Sequence, residues 1–356
     1  MTPLIGWDIG GAHLKAALLV QGQVQAVVQR PCALWLGLDR LAAAMDAVLQ
    51  TMGPAAAGAD HVVTMTGELA DGFADRQDGV AALAAHVADR FGEAHVRLFG
   101  VDFQAAQIRW HRAADARAHW AQIASANWWA TAQYAAQAVP QGVLVDIGST
   151  TSDFIAILQH QVRAAGHDDH SRLATGELLY HGVVRTPLCA LGPRIEFRGR
   201  HHNLMNEFFA TSADVYRLTG ELDLLHDQHP AADQGAKDLA GTRQRLARMV
   251  GLDARDAAPG DWQELARRWR ERQIDEIAGN LKRVPEAAGL DATAPLVAAG
   301  CGAFLVPELA ARLGRPWVLF DSLLPLADAS CGPWARVCAP SVAVACLWAE
   351  AGTVGE

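Results

Sequence analysis

The sequence lacks several patterns that mark common classes of protein. It has no long basic run and a formal net charge of −9, which argues against general nucleic-acid binding. None of its 6 cysteines forms a C-x-x-C pair, so we expect free thiols in a reducing compartment. It has no apolar run long enough to cross a bilayer and no signal-peptide pattern in its first residues. We therefore expect a cytoplasmic protein without nucleic-acid or membrane partners.

The composition is that of a folded protein with more than one core. Hydrophobic residues make up 51% of the chain and charged residues 19%, which excludes a disordered chain. A length of 356 residues is too great for one ordinary core and suits two domains.

One stretch, residues 144–158, carries the clearest chemical signal. An apolar run ends at Asp146, a turn of glycine and hydroxyl residues follows, and Asp153 begins a second apolar run. Such a turn can close backbone N–H groups and hydroxyls around phosphate oxygens, while the carboxylates hold a hydrated cation. A purely structural turn rarely needs so many hydroxyls. The predicted phosphate ligands are Gly148, Ser149, Thr150 and Thr151.

Residues 8–15 are a second copy of this stretch. The Asp-Ile-Gly triplet at 8–10 matches the triplet at 146–148, and the two segments align without a gap. We interpret the repeat as two copies of one hairpin unit, which predicts two related α/β domains, each with a mixed sheet.

The first copy has two interpretations. In the functional one, Gly10 and Gly11 let the backbone approach phosphate, Asp8 ligates a metal through water, and Lys15 pairs with phosphate charge. In the other, the segment is a plain hairpin with a Gly-Gly turn and a solvated lysine. The matching segment at Asp146 favours the interpretation as a phosphate site over that as a plain hairpin.

Hydrophobic periodicity and turn residues predict the remaining elements. The second domain is expected to contain a helical insertion at 203–288 that covers its ligand cleft. We place the first domain at 1–140 and the second at 141–340, with a final helix in 341–356 that packs back on the first domain and has Ser341 as its N-cap. The predicted strands are 4–8, 14–20, 23–29, 61–66, 96–101, 295–299 and 317–320, and the main predicted helices are 39–52, 78–91, 115–138, 262–282 and 341–351.

Several further residues are candidates with an ordinary alternative. Glu68 follows a strand, where it is either a base or metal-associated group, or an exposed loop acid. Asn127, among apolar neighbours, is either a site residue or a core amide with a partner. Gly300 and Gly302 either let a helix N-terminus approach a ligand or form a common strand–glycine–helix join. Arg185 either meets an anion or lies on the surface.

The motifs resemble the two phosphate motifs and the adenosine motif of the actin–sugar kinase–Hsp70 superfamily. The chain is more closely similar to its hydantoinase A/oxoprolinase branch, in the subgroup linked to tetrahydromethanopterin-dependent one-carbon transfer and methanofuran biosynthesis. This resemblance implies two duplicated RNase H-like domains of the actin-like ATPase type. The motifs that carry it are Asp8-Ile-Gly-Gly, Asp146-Ile-Gly-Ser-Thr-Thr-Ser-Asp, Ala299-Gly-Cys-Gly, and the segments 66–71, 126–128, 175–178 and 213–220.

The resemblance also implies a reaction. Members of the subgroup join aminomethyl-furanmethanol diphosphate to the phenol of γ-glutamyltyramine and release diphosphate; a variant could use tyrosine. Mg²⁺ held by Asp8 and Asp146 would stabilise the leaving group together with Lys15, and Glu68 or Asp153 would take the phenol proton. ATP would not be required. Asn127, Gly300 and Gly302 would line the substrate or nucleotide-like pocket.

Two other functions fit the same motifs. The first is an ATP-dependent small-molecule kinase or hydantoinase-like hydrolase, in which the three motifs hold ATP. The second is a nucleotide-gated binding protein with slow chemistry. Each of these functions implies small-molecule ligands, and each is compatible with a homo-oligomer.

Overall fold

Two mixed sheets form the framework of the protein. The computed structural model describes residues 2–353. The strands are β1 (Leu4–Ile9), β2 (His13–Val20), β3 (Gln23–Pro31), β4 (Asp60–Met65), β5 (Val96–Asp102), β6 (Gln107–His111), β7 (Gln141–Ile147), β8 (Ser152–Leu158), β9 (Gln161–Arg163), β10 (Leu178–Leu179), β11 (Arg194–Phe197), β12 (Arg200–Asn203), β13 (Leu296–Ala299) and β14 (Trp317–Leu319). The helices are α1 (Leu38–Met52), α2 (Arg76–Phe91), α3 (Trp120–Ile123), α4 (Asn127–Ala138), α5 (Asp169–Thr175), α6 (Ser212–Thr219), α7 (Leu239–Met249), α8 (Pro259–Ala287), α9 (Val306–Leu313), α10 (Gly332–Val337) and α11 (Ala339–Thr353).

The two sheets share the arrangement of their central strands, and they differ at the edges, where both β9 and β10 pair with β8. The first has the order β3-β2-β1-β4-β5-β6, with β1 antiparallel to β2 and parallel to β4. In the second, β7 is antiparallel to β8 and parallel to β13, and β14 follows β13. A hairpin followed by parallel strands on its other side is the arrangement expected of a duplicated RNase H-like unit. The predicted fold class, a two-domain actin-like α/β protein, is therefore confirmed.

The duplication extends to single turns. Asp8 lies opposite Lys15 across the first hairpin, as Asp146 lies opposite Asp153 across the second. The N–H of Gly10 donates to the carbonyl of residue 13 at 3.0 Å, and that of Gly148 donates to the carbonyl of residue 151 at 2.8 Å. The next turns, at 21–22 and 159–160, both have two consecutive residues with positive φ, which suits the twist of a two-residue hairpin.

Helices α4 and α11 lie between the two sheets. Together with inward-facing residues of both sheets they form one continuous hydrophobic core. The close approach of α11 to β1 depends on Gly6, because a Cβ there would clash with the backbone of Ser341 and with Ala345. Placing the domain boundary at residue 140 stays our proposal.

Two predictions of local structure are wrong. The helix predicted at 115–138 is two helices, α3 and α4, separated by Ser125, whose φ of 49° cannot continue an α-helix. Ser341 is not an N-cap, because α11 begins two residues earlier with Pro340 in its first turn, where a missing N–H costs nothing. The Ser341 hydroxyl donates instead to the carbonyl of Cys338 at 2.8 Å.

The region predicted as a helical insertion is mostly helical and has a core of its own. Helices α6, α7 and the first half of α8 pack around Trp262 and Trp269. Hairpin β11–β12, which precedes the predicted insertion, adds Ile195 and Phe197 to this core. The second half of α8 packs against the second sheet through Ile274 and its neighbours. Within residues 2–353, no helix is long and apolar enough to cross a membrane.

Candidate active site

The two hairpin turns face each other across a cavity of about 490 Å³. β1 and β7 each end at this cavity, so their last acidic residues point to the same place. The structure brings together in its lining most of the predicted site residues: Asp8, Gly10, Gly11, Lys15, Asn127, Asp146, Gly148, Ser149, Thr150, Thr151 and Asp153.

Lys15 is one of three cationic side chains that line the cavity. Its Nζ lies 3.5 Å from Oδ2 of Asp8, and Asp146 is close enough to act on it electrostatically. Burial alone would lower the pKa of Lys15, but the charges of the two carboxylates reverse this and leave the pKa above its ordinary value. The amine is therefore fully charged at neutral pH. The interpretation of Lys15 as a solvated lysine is wrong.

The two carboxylates around Lys15 are strongly perturbed. Burial raises the pKa of Asp8, against the opposing effect of Lys15 and of the Asn127 side chain. Burial and the neighbouring aspartates raise the pKa of Asp146 to about 7, although Lys15 again opposes the shift. Oδ1 of Asp8 is buried and has no hydrogen-bond partner among the described residues. An unpaired buried carboxylate oxygen calls for a partner, and Asp8 lines the cavity.

The carboxylates of Asp8 and Asp146 are ligands of the kind that a hydrated Mg²⁺ takes. Mg²⁺ is usually held by one or two carboxylates plus substrate phosphates and water, not by a cage of protein ligands. Asp8 and Asp146 supply two carboxylates, and the described part of the chain contains no group of three or more potential metal-ligating side chains. The protein alone therefore offers an incomplete site, of the kind that a phosphate ligand would complete.

Asp153 is held by an arginine that the sequence did not indicate. The guanidinium of Arg172, on α5, donates to Oδ1 of Asp153 at 2.6 Å and stacks over the ring of Trp128 at 4.0 Å. Arg172 itself is almost fully buried. The ion pair occupies one carboxylate oxygen of Asp153 and ties this side chain to α5.

Arg185 lies at the second phosphate turn. Its guanidinium donates to Oγ1 of Thr150 at 3.3 Å and lies 5.6 Å from the ring of Trp35. Arg185 therefore lies at the second hairpin turn and lines the cavity, and its contact with an anion stays a prediction.

Glu68 is buried behind the cavity wall. Its side chain is 1% exposed and does not line the cavity, so the interpretation as an exposed loop acid is wrong. The hydroxyl of Ser125, which does line the cavity, donates to Oε1 of Glu68 at 2.6 Å. Burial raises the pKa of Glu68 to about 7, and the Ser125 hydrogen bond only partly opposes this. The positive φ of Ser125 is the local feature that aims its hydroxyl at the acid.

We expect Glu68→Gln to stabilise the protein at pH 8 and to leave its stability at pH 4 unchanged. The folded pKa of about 7 lies above the ordinary value of 4.5. The stability contributed by the protonated acid is therefore present below pH 4.5 and lost as the pH rises through 7. A neutral amide keeps the Ser125 contact at every pH, so the gain at pH 8 should be on the order of 2 kcal/mol. Urea unfolding at both pH values measures it.

The control for this prediction is Glu286→Gln, at an exposed position on α8. It should change the free energy of unfolding by less than about 0.5 kcal/mol at either pH. Equal effects of Glu68→Gln at pH 4 and pH 8 would contradict a raised pKa.

Gly300 and Gly302 lie behind the second hairpin and do not line the cavity. The N–H of Gly302 donates to the carbonyl of Ile147 at 2.8 Å, and a Cβ on Gly302 would clash with the Ile147 side chain. Gly300 has a φ of 81° and lies against Ile147 and the carboxylate of Asp146. Between them, Cys301 does reach the cavity. The structure thus places these glycines where they pack β13 against β7 and position Asp146.

Gly300→Ala should destabilise the protein by about 3 kcal/mol more than Gly314→Ala. Both glycines have positive φ, but the Gly314 position has open space around a new Cβ, whereas the Gly300 position does not. The difference isolates the steric clash from the cost of the backbone conformation, which is about 1 kcal/mol at both sites. Denaturant unfolding of the two variants measures this difference, and equal values would contradict the packing role.

Fold and cavity together define a two-domain actin-like protein with two phosphate-type turns around one cleft. The chain belongs to the hydantoinase/oxoprolinase family, whose model matches residues 60–325. It is 27% identical over 290 residues, 81% of this chain and 83% of the relative, to a protein of Methanocaldococcus jannaschii named (4-{4-[2-(γ-L-glutamylamino)ethyl]phenoxymethyl}furan-2-yl)methanamine synthase. A protein of the same name from Methanococcus vannielii is 30% identical over 148 residues, 42% of this chain and 66% of that relative.

Solved structures with similar chain paths are more distant. The activator of 2-hydroxyisocaproyl-CoA dehydratase from Clostridium difficile is 10% identical, with a TM-score of 0.45 over 100% of this chain and 98% of that one. The ROK hexokinase from Thermus thermophilus is 15% identical, with a TM-score of 0.42 over 99% of this chain and 100% of that one.

Proposed function

We propose that this protein is a transferase of methanofuran-type cofactor biosynthesis. It joins aminomethyl-furanmethanol diphosphate to the phenol of γ-glutamyltyramine or of a tyrosine analogue and releases diphosphate. The similarity to two synthases whose names describe such an aryl furfuryl ether supports this proposal. The structural observation that carries it is the position of Lys15, charged, partly buried and ion-paired with Asp8 in the cavity that Asp146 also lines, where the two phosphate-type turns meet.

The reaction needs a site that stabilises a leaving diphosphate. The carbon–oxygen bond to the diphosphate breaks with its electron pair, while the furan oxygen stabilises the positive charge left on the methylene carbon. Charge stabilisation at the leaving group is then the main contribution that an enzyme can make. Lys15, Arg185 and the N–H groups of the two turns can surround the phosphate oxygens.

The cavity by itself offers a diphosphate no excess of positive charge. Its lining contains five acidic side chains and three cationic side chains. We propose that Asp8 and Asp146 hold Mg²⁺, which would neutralise the diphosphate as it leaves. The carboxylates are Asp8, Asp71, Asp146, Asp153 and Asp169, and the cations are Lys15, Arg172 and Arg185.

The deciding experiment is product analysis by mass spectrometry. The purified protein and Mg²⁺ would be incubated with aminomethyl-furanmethanol diphosphate and either γ-glutamyltyramine or tyrosine, without ATP. We expect an ether product and one equivalent of diphosphate with one of the acceptors. ATP hydrolysis in a parallel reaction, without any ether, would favour a kinase or hydantoinase-like activity instead. Nucleotide binding without turnover of any substrate would favour a binding protein.

A further inference from the structure

A second cavity, of about 360 Å³, lies beside the first. Trp35 and Arg185 line both cavities and therefore form the boundary between them. Its other walls come from Phe208 and from the loop of the insertion that contains Asp227 and His229. The first domain, the second domain and the insertion thus all contribute to this cavity.

The lining of the second cavity combines aromatic rings with paired charges. The side chains of Trp35 and Phe208 are 39% and 56% exposed, which leaves two aromatic faces open. At the other side, Arg217 is ion-paired with Asp214 at 2.9 Å and also with Asp227. Open rings suit a flat aromatic ligand, and charges of both signs suit a zwitterionic amino-acid group.

His229 joins this cavity to the first phosphate turn. Its Nε2 lies 2.8 Å from the carbonyl oxygen of Ala12. A carbonyl oxygen only accepts, so we assign the proton to Nε2, which leaves Nδ1 of the neutral ring as an acceptor. The ring also packs edge-on against His13, with 4.6 Å between centroids, and His13 lines the first cavity. His229 therefore lies at the boundary between the two cavities with one nitrogen free to take a proton.

The two acids that the sequence offered as bases are less suitable. Glu68 is separated from the cavity by Ser125, and Asp153 is held in an ion pair by Arg172. Burial lowers the pKa of His229, and the nearby charge of Arg185 adds to this effect. The imidazole is accordingly neutral at physiological pH, which is the form that a general base requires.

We infer that the second cavity binds the phenolic acceptor and that Nδ1 of His229 accepts the phenol proton. In the reaction, the phenol oxygen forms a bond to the furfuryl methylene carbon, and the bond from that carbon to the diphosphate oxygen breaks. The phenol proton moves to His229, and the diphosphate leaves with the electron pair. This inference rests on the proposed function, because it names the acceptor subsite of the same reaction.

Two cavity variants test the subsite. Trp35→Ala and Phe208→Ala should each raise the KM for γ-glutamyltyramine about tenfold, equivalent to about 1.4 kcal/mol. Phe208 lines the second cavity and not the first, so Phe208→Ala should also leave the KM for the furan diphosphate unchanged. The matched controls are Leu36→Ala and Met205→Ala, exposed apolar side chains that line neither cavity. Both controls should behave as the parent protein.

His229→Gln tests the base. It should lower kcat about 100-fold and change the KM for the phenol less than threefold, since it removes a proton acceptor but keeps the side-chain volume. Calorimetric titration with γ-glutamyltyramine should show that this variant still binds the phenol. An unchanged kcat would overturn the assignment of His229.

Measuring phenol binding directly distinguishes a failure of this inference from a failure of the proposed reaction. One outcome is that the parent protein makes no ether but binds the phenol, and that Trp35→Ala weakens this binding. The acceptor subsite is then supported, whereas the proposed reaction and the role of His229 are wrong. If ether forms and neither cavity variant changes the KM for the phenol, the subsite is wrong and the proposed function stands. A parent protein that makes no ether and binds no phenol overturns both.

Discussion

Asp146→Asn is expected to reduce turnover by about 10³-fold while the protein stays folded. Asp146 is the penultimate residue of β7, lines the cavity where the two turns meet and acts electrostatically on Lys15. In the proposed reaction it provides one of two carboxylates for Mg²⁺, and an amide cannot replace that charge. Neither neighbouring element requires the charge for packing, so the fold should persist. Steady-state rates at saturating substrate and Mg²⁺ measure the loss.

The same substitution should stabilise the protein at alkaline pH. Because the pKa of Asp146 is raised to about 7, the stability of its protonated form is present below pH 3.8 and lost as the pH rises through 7. Asparagine does not ionise, so the variant does not lose this stability at high pH. It should unfold at a higher temperature than the parent protein at pH 8 but not at pH 4. Low activity combined with higher stability would mark a residue selected for chemistry.

Asp71→Asn is the control for the charge change. Asp71 is an exposed carboxylate at the edge of the same cavity, so its removal changes the local field by the same formal charge. We expect its effect on turnover to stay within about threefold, because charges in water are screened. Equal losses for Asp71→Asn and Asp146→Asn would show that overall field, rather than a specific carboxylate, governs the rate.

The parts of this site that the sequence predicts are those built by local chain geometry. A hairpin turn is specified by a few consecutive residues, so Asp8, Lys15, Asp146 and the hydroxyls after Gly148 could be recognised as one repeated unit. Their meeting in one cavity also follows, since two copies of a sheet unit place equivalent strand ends in equivalent positions.

The missed residues reach the site through tertiary packing. Arg172 lies on a short helix, and only the fold brings it to Asp153 and Trp128. His229 is in a loop of the insertion, with no periodicity or motif to indicate its contact with Ala12. No pattern of side chains signals the positive φ of Ser125. Such contacts depend on distances between segments remote in sequence, which single-chain patterns do not encode.

Lys15→Met should remove activity and destabilise the protein in a strongly pH-dependent way. Without the lysine, Asp8 and Asp146 face each other with Asp153 nearby, and two adjacent buried carboxylates cannot both ionise. Loss of one partner from a buried ion pair typically costs about 3–5 kcal/mol. We expect a cost of about 3 kcal/mol at pH 8, measured by urea unfolding.

The sign of the pH dependence follows from the carboxylates. Their pKa values, already raised by burial, rise further when Lys15 is lost, so the folded variant retains protons that the unfolded chain releases. Its stability is then present at low pH and lost as the pH rises through the raised values. The pKa of Lys15 itself lies above its ordinary value of 10.5, so the lysine stays charged from pH 5 to pH 8. The cost of the substitution should therefore be smaller at pH 5 than at pH 8.

Magnesium gives this prediction a readout that does not depend on turnover. If Asp8 and Asp146 hold Mg²⁺, millimolar Mg²⁺ should recover part of the lost stability of Lys15→Met at pH 8, because a bound cation replaces the missing charge. Lys282→Met, on the exposed surface of α8, is the control and should show neither the loss nor the recovery. Recovery by Mg²⁺ but not by an equal ionic strength of NaCl would place the metal at this pair of aspartates. A cost that is the same at pH 5 and pH 8 would show that Lys15 serves packing rather than charge balance.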